Sequence, residues 1–299
     1  MNWEVQTMPS KTSFCNGTEF RMCLSRWWPL WIIYGVILFI LLPGVLLNAR
    51  TTTPYMTTPY VSTEQIGYLS NVILSETQML LPLTAFCPGL LPAAAMFGYL
   101  YTPRGAGLAA SLPIRRGCMF RTHLLAGLVM LLSAEAVIFG LAVLIEATRF
   151  ELVIEPLLIW LGILALETVV FYGIAVLCAM FTGHVVMLPC LYLLVNFIAV
   201  GFQLLVEAVL YMFVYGMSGM VDLPVDWLSP LVLFMRRTSV GHADLVRPIS
   251  GTGAEVAIAN FSGWIYPLVW AAYALLVLVC AGQLYRRRRM ESAGDTVAI

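Results

Sequence analysis

Residues that could perform chemistry are few in this sequence and stand far apart. The one lysine, Lys11, has no glycine-rich segment before it, so the sequence lacks the GxxxxGK[ST] loop that cradles nucleotide phosphates. The histidines His123, His184 and His242 lie in different predicted segments and include no HExxH pattern. We therefore expect no catalytic residue, no enzymatic activity and no ATP hydrolysis in this chain.

The cysteines are also dispersed. They include no CxxC pair, and the topology derived below places none in an outside loop. Their positions are Cys15, Cys23, Cys87, Cys118, Cys178, Cys190 and Cys280. Disulfide frameworks and zinc sites are recognised from paired or regularly spaced cysteines. We therefore expect neither a disulfide framework nor a metal site.

The composition indicates a membrane domain. Hydrophobic residues make up 61% of the 299 and charged residues 11%, against about 45–50% and about 25% in soluble domains. The apolar residues come in runs of about 20, the number that a helix needs to cross about 30 Å of hydrocarbon. The apolar runs lead us to expect membrane lipids around the chain. The formal net charge is zero, so we expect no nucleic-acid partner. The sequence predicts an all-α integral membrane protein.

Six apolar runs, bounded by charged or turn residues, are candidate transmembrane helices. They cover residues 29–48, 78–100, 122–145, 156–180, 185–211 and 263–285. The chain therefore divides into an N-terminal segment at 1–28, a six-span domain at 29–285 and a basic tail at 286–299.

Arginine and lysine predict the orientation of these spans. With the N-terminus inside, eleven basic residues fall in cytoplasmic segments and five in outside segments. This is the positive-inside bias, so we expect a cell-membrane protein with both termini in the cytoplasm. Residues Arg286 to Arg289 would then end the last span at its inner side as a stop-transfer anchor. The long outside loop, 212–262, fits either short helices at the outer interface or a compact outside cap.

Residues 18–28 predict an amphipathic helix before the first span. Phe20, Cys23, Leu24, Trp27 and Trp28 share one side at helical spacing, and Glu19, Arg21, Ser25 and Arg26 share the other. A basic helix edged by tryptophans lies in the plane of the inner lipid headgroups. The alternative is that the first span simply begins early.

A basic segment at 103–121 joins the second and third spans. It is too polar to cross a membrane and too apolar for a free linker. We expect a short helix on which Leu112, Ile114 and Phe120 enter a groove of a soluble partner. Arg115, Arg116 and Arg121 would meet acidic residues of that partner. The alternative is a basic loop that only sets the topology.

Three glutamates fall inside predicted spans, where an ionised carboxylate costs about 2.5–3.5 kcal/mol. Glu135 and Glu167 could line a substrate path or join subunits, whereas Glu207 lies nearer the outer interface. The alternative is a helix-packing hydrogen bond from a protonated carboxyl group.

Four short motifs occur in order along the six-span frame. They are Phe20 through Trp28-Pro29-Leu30-Trp31, Gly98-Tyr99-Leu100-Tyr101, Ser111-Leu112-Pro113-Ile114-Arg115-Arg116 and Leu228-Ser229-Pro230. This order resembles the permease subunits of ABC transporters of the ABC-2 type, over nearly the whole chain. In that family the Leu-Pro-x-x-Arg stretch belongs to the coupling helix, which docks in a cleft of the ATPase subunit. The N-terminal amphipathic helix is a connecting helix beside it.

The resemblance implies a partnership. A cytoplasmic ABC ATPase subunit would bind ATP and Mg, and a second permease subunit, the same or related, would complete the transporter. This chain would bind no cofactor of its own. Its substrates would be hydrophobic or amphipathic, such as a peptide antibiotic, a drug or a lipid, and would be exported. Two other classes stay open: an ion-coupled secondary transporter or channel that uses Glu135 and Glu167 as a relay, and a non-transporting membrane sensor.

Overall fold

The computed structural model of the chain describes residues 15–49, 63–149, 154–214, 224–241, 246–248, 255–257 and 260–288. Its helices are α1 (Gly17–Leu41), α2 (Pro43–Ala49), α3 (Thr63–Met96), α4 (Pro103–Ser111), α5 (Arg116–Arg149), α6 (Ile154–Phe181), α7 (Met187–Phe213), α8 (Pro230–Arg237) and α9 (Ile265–Arg287). Two 3₁₀ turns cover Gly98–Tyr101 and Pro224–Leu228. Four short strands, β1 (Ser239–Gly241), β2 (Val246–Pro248), β3 (Glu255–Ala257) and β4 (Asn260–Ser262), pair antiparallel as β1 with β4 and β2 with β3.

Within the described residues, five helical units are long and apolar enough to cross a membrane. They cover Gly17–Asn48, Arg116–Thr148, Ile154–Phe181, Met187–Phe213 and Ile265–Arg287. The chain is thus an all-α, multi-pass membrane protein, and five of the six predicted spans correspond to these units. The second predicted span falls in α3, whose apolar stretch, Leu80–Met96, is shorter. The count of six stays a prediction.

The helix that contains the second predicted span, 78–100, differs from that span at both ends. α3 begins at Thr63, inside the predicted outside loop, and ends at Met96, after which Gly98–Tyr101 forms a 3₁₀ turn. Hydropathy marks where a helix leaves the lipid, whereas a polar segment such as Thr63-Glu64-Gln65 can continue or begin a helix. The remainder of that predicted loop, residues 50–62, lies outside the described residues.

The predicted amphipathic helix and the first span form one helix with a kink. Inside α1, Trp27 has φ −108° and ψ 16°, which is not helical. Pro29 follows two residues later and has no amide hydrogen to donate to the preceding turn. Before the kink Cys23 is buried, while Trp28, predicted on the apolar side, is 58% exposed. The position of this first half of α1 in the headgroup plane stays a prediction.

α6 is the central helix of the bundle. It packs against α3, α5, α7 and α9. In the most apolar 18-residue stretch of α6, 78% of residues are buried. The corresponding share in the other four membrane-length units is 17–33%. A helix that is apolar on all sides is buried when other helices surround it, and those helices present their outer apolar sides to lipid.

Gly89 allows α3 to approach α6 closely. A Cβ atom built at Gly89 would lie 3.1 Å from Phe171 Cβ and 3.1 Å from the Tyr172 backbone nitrogen. We expect Gly89→Leu to force the two helices apart and lower the free energy of unfolding by about 2–3 kcal/mol. Thermal denaturation in detergent measures the change. Gly140→Leu on α5 is the control, since nothing lies within 4 Å of that site. Equal melting temperatures for the two variants would contradict the close packing.

The long loop after α7 contributes a short helix to the bundle. α8 packs against α3, α7 and α9 and buries Leu233 and Phe234 completely. The ring of Phe234 lies 5.9 Å from that of Phe171 on α6, in an edge-on arrangement. α8 is a short helix, one of the features predicted for this loop, whereas its two strand pairs are not predicted. The position of the loop at the outer interface or in an outside cap stays a prediction.

Candidate functional site

One end of the bundle gathers basic residues from distant parts of the sequence. We call it the basic end; it comprises the first half of α1, α4, the link 112–115, the start of α5 and the end of α9 with Arg288. The Asn16 amide donates to Thr122 Oγ1 at 3.0 Å, which ties α1 to α5. The Arg116 guanidinium donates to the Arg288 carbonyl at 3.3 Å, which ties α5 to the end of α9.

The segment predicted to bind a partner is a short helix followed by a link. Thr102 caps α4 by accepting a hydrogen bond from the Gly105 amide at 3.3 Å, and Pro103 occupies the first helical turn. The helix ends before Leu112, whose ψ of 136° is extended. Pro113 explains this end, since a proline disfavours helical backbone at the residue before it. The observed helix α4 therefore excludes the Leu-Pro-x-x-Arg stretch, which is predicted to be helical and instead falls in the link and at the start of α5.

The predicted partner-binding residues differ in burial. Exposed residues are Leu112, Pro113, Arg115 and Arg116, and Ile114 is half-buried. The prediction for Phe120 is wrong, because Phe120 is only 5% exposed. Its ring lies 5.7 Å from the Phe97 ring and 5.4 Å from the Tyr285 ring, within the core.

Leu108 is an exposed apolar residue that is not among the predicted partner-binding residues. It is 71% exposed and lies one helical turn after the exposed Arg104. We use the name α4 face for four exposed residues: Arg104 and Leu108 of α4, and Leu112 and Arg115 of the link that follows it. The signal that could have identified Leu108 is the spacing of four residues from Arg104 to Leu108 to Leu112.

A cleft of about 660 Å³ separates the first half of α1 from α4. Cys23 and Trp27 line one wall, Leu108 and Leu112 line another, and His123 of α5 lies at its base. The volume is that of a small-molecule pocket. The α4 face therefore borders a cleft that continues to α1.

Three residues at this cleft could hold a metal ion. Single ligand atoms of Glu19, Cys23 and His123 all lie within 4.8 Å of one another. This contrasts with the expectation of no metal site. Glu19 and Cys23 are four residues apart, which is a signal in the sequence, whereas the approach of His123 depends on the packing of α5 against α1.

Arg288 holds the helix ends at the basic end together. Its guanidinium donates to the carbonyls of Ala179 at 2.9 Å, Met180 at 3.2 Å and Leu100 at 3.4 Å. The first two are carbonyls at the end of α6 without a partner in their own helix. Burial lowers the pKa of the Arg288 guanidinium. Arg288 is only 3% exposed, whereas Arg286 and Arg287 are exposed; the stop-transfer anchor predicted for Arg286 to Arg289 stays a prediction.

A pair of phenols lies beside Arg288. Tyr99 and Tyr285 place their hydroxyl oxygens 2.9 Å apart, so one donates to the other. Burial raises the pKa of Tyr99 well above its ordinary value. The Tyr99 hydroxyl therefore stays neutral and joins the 3₁₀ turn after α3 to the end of α9.

Glu135 and Glu167 are both buried completely inside the bundle. Glu135 Oε1 accepts hydrogen bonds from Tyr34 Oη at 2.9 Å and Thr168 Oγ1 at 2.6 Å. Among the described residues, neither carboxyl oxygen of Glu167 has a hydrogen-bond partner. Glu135 joins α5 to α1 and α6 as a hydrogen-bond acceptor, while its Oε2 has no hydrogen-bond partner among the described residues. The roles predicted for the two glutamates stay predictions. Glu207 is half-buried and accepts from Gln203 Nε2 at 2.8 Å.

Comparison with known proteins adds no family assignment. No protein-family model matches the chain, and no curated protein is significantly similar to it. The class that the fold defines is a multi-pass, all-α membrane protein with an exposed short helix, α4, at its basic end.

Proposed function

We propose that this chain is the membrane-spanning permease subunit of an ABC transporter of the ABC-2 type. The observation that carries the proposal is the α4 face. Leu108 is 71% exposed, the exposed Arg104 lies one helical turn before it, and Arg115 is exposed in the link that follows α4. An apolar side chain flanked by cations fits a groove with an acidic rim on a soluble protein. That protein would be the ATPase subunit, since this sequence has no phosphate-binding loop, and it would hold the ATP and Mg²⁺.

In this proposal the basic end faces the cytoplasm and α3 is the second of six spans. α3 has 34 residues, which is about 50 Å at 1.5 Å per residue and exceeds the roughly 30 Å of hydrocarbon. Both termini are then cytoplasmic, in agreement with the excess of basic residues on that side. A second permease chain, the same or related, completes the membrane part of the transporter in the cell membrane.

The proposed mechanism begins at α4. ATP-driven closing of two ATPase subunits moves α4, and the link 112–115 passes the movement to α5. The hydrogen bond from Arg116 to the Arg288 carbonyl carries it on to α9. A partner can bias two states only through a difference in affinity, so contacts at the α4 face must change between nucleotide states. The bundle then exports a hydrophobic or amphipathic substrate such as a peptide antibiotic, a drug or a lipid.

Substitutions on the α4 face test the proposal. We expect Leu108→Asp and Arg115→Glu each to lower co-purification of a soluble ATPase at least tenfold, because each places an unpaired negative charge against the acidic groove. The chain is purified in detergent from the cells in which it occurs naturally, and the soluble ABC ATPase bound to it is quantified.

Two variants are matched controls for this test. Ala110→Asp adds the same charge about 200° around α4 from Leu108, and Arg287→Glu reverses an exposed charge elsewhere at the basic end. Both controls should retain the ATPase. Equal retention by Leu108→Asp and Ala110→Asp, or an active transporter without any ATPase, would refute the proposal.

A second candidate function is ion-coupled transport. The observation in its favour is Glu167, a buried carboxyl group without a hydrogen-bond partner among the described residues, close enough to Glu135 to interact with it electrostatically. Flux in reconstituted vesicles, driven by an ion gradient without ATP and abolished by Glu167→Gln, would support this class over the first. Flux that requires ATP and is unchanged in Glu167→Gln would exclude Glu167 from the mechanism.

A further inference from the structure

We infer that Glu19, Cys23 and His123 form a binding site for a thiophilic divalent cation, for which Zn²⁺ is the best fit. One ligand atom from each residue lies within 4.8 Å of the other two. In a tetrahedral zinc site the ligand atoms are about 3.5 Å apart. Binding of an ion would therefore draw the three ligand atoms closer together by rotation of their side chains.

The two proposed ligands on α1 lie on the same side of the helix, near its ordered N-terminal end. Glu19 and Cys23 are separated by four residues, so their side chains are stacked along one side of the helix. The side chain of Asn16 caps this turn by accepting a hydrogen bond from the Thr18 amide at 3.1 Å. The Asn16 amide is held by Thr122, the residue next to His123. The turn that carries Glu19 is therefore fixed against the helix that carries the third ligand.

His123 is oriented as a metal ligand. Its Nδ1 lies 2.9 Å from the Met119 carbonyl oxygen one turn earlier, so Nδ1 carries the proton and donates to that oxygen. Nε2 then keeps a lone pair for an ion. Such a hydrogen bond from the second ring nitrogen is the usual support of a histidine that binds a metal.

The surroundings leave room for an ion to enter. His123 and Cys23 are both buried, but they line the cleft of about 660 Å³ between α1 and α4. The protein supplies three ligands, and the cleft leaves a fourth position for water or a small anion. Three protein ligands and one open position are the arrangement of non-structural zinc sites.

The ligand types select the ion. A thiolate and a carboxylate carry two negative charges, which neutralise a divalent cation, and the imidazole adds none. Mg²⁺ and Ca²⁺ prefer oxygen ligands, whereas a mixed sulfur, nitrogen and oxygen set favours Zn²⁺ among the commonly available divalent ions. Binding releases the thiol proton of Cys23 to the solvent and involves no redox change. A bound ion would link the first half of α1 to α5 beside α4.

Metal titration of the purified full-length chain tests the site. The chain is treated with a chelator in detergent and titrated with Co²⁺, followed by absorption, and with Zn²⁺, followed by calorimetry. We expect one ion per chain and a thiolate-to-cobalt charge-transfer band. Cys23→Ser should abolish the band, and Glu19→Gln and His123→Asn should each weaken Zn²⁺ binding at least tenfold. Cys280→Ser, which removes an exposed cysteine on α9, should change neither quantity.

A second measurement uses the unaltered chain and so does not depend on the folding of the variants. The alkylation rates of Cys23 and Cys280 are followed by mass spectrometry with and without Zn²⁺. We expect Zn²⁺ to slow the reaction of Cys23 at least tenfold and to leave that of Cys280 unchanged. A charge-transfer band that persists in Cys23→Ser, or equal protection of the two cysteines, would overturn the inference.

Discussion

We expect replacement of Arg288 with methionine to lower the free energy of unfolding by about 3 kcal/mol. The guanidinium of Arg288 donates to three carbonyl oxygens, from Leu100, Ala179 and Met180, in a position that is 3% exposed. A hydrogen bond to a charged group contributes about 1.5–3 kcal/mol, and a buried carbonyl left without a donor adds its own penalty. The methionine side chain keeps much of the packing and removes every donor.

The matched control for this prediction is the neighbouring residue. Arg287 is exposed, so Arg287→Met should leave the apparent melting temperature unchanged. Arg288→Lys should fall between the two, because one ammonium group cannot reach three carbonyls in the geometry of a planar guanidinium. Melting curves of the purified chain in detergent measure all three. A melting temperature for Arg288→Met equal to that of Arg287→Met would show that the three hydrogen bonds do not stabilise the fold.

Arg288 is also placed to affect the movement proposed for the basic end. Through its side chain Arg288 holds the end of α6 and the 3₁₀ turn that precedes α4, and through its carbonyl it accepts from Arg116 on α5. Arg288 therefore connects the 3₁₀ turn before α4 with α5, the helix after it. If α4 transmits a movement, as proposed, Arg288→Met should weaken that transmission as well as the fold.

Sequence patterns predict the membrane helices better than their ends. The first, third, fourth, fifth and sixth predicted spans correspond to helices of the structure, because a run of about 20 apolar residues admits few other solutions in lipid. The limits of α3 differ from those of the predicted span because helix formation does not stop where hydropathy falls. The kink at Trp27 likewise has no counterpart in hydropathy, although Pro29 nearby is visible in the sequence.

Side-chain placement is harder to predict in a membrane protein. Both the lipid-facing and the core-facing sides of a helix are apolar, so the pattern does not show that Phe120 is buried and Leu108 exposed. The hydrogen bond from Tyr34 to Glu135 and the approach of His123 to Cys23 join residues about 100 positions apart. Such pairs depend on which helices pack together, and hydropathy carries no information about this.

The two buried glutamates should respond to the same substitution in opposite directions. Glu135→Met leaves the hydroxyls of Tyr34 and Thr168 without their acceptor inside the bundle, so we expect a loss of about 2 kcal/mol in the free energy of unfolding. Glu167→Met removes two carboxyl oxygens that have no hydrogen-bond partner among the described residues. We expect this change to stabilise the chain by about 1–2 kcal/mol, since an apolar group of similar size avoids the desolvation of a buried polar one.

Melting curves of both variants beside the unaltered chain measure these effects, with Glu135→Gln as the control. The amide oxygen of glutamine can still accept from Tyr34 and Thr168, so this variant should recover most of the stability lost in Glu135→Met. If Glu167→Met stabilises the fold, the carboxyl group of Glu167 costs the chain stability. Its presence then indicates a role in activity. A destabilised Glu167→Met would instead assign Glu167 a structural partner, and the case for ion-coupled transport would lose its supporting observation.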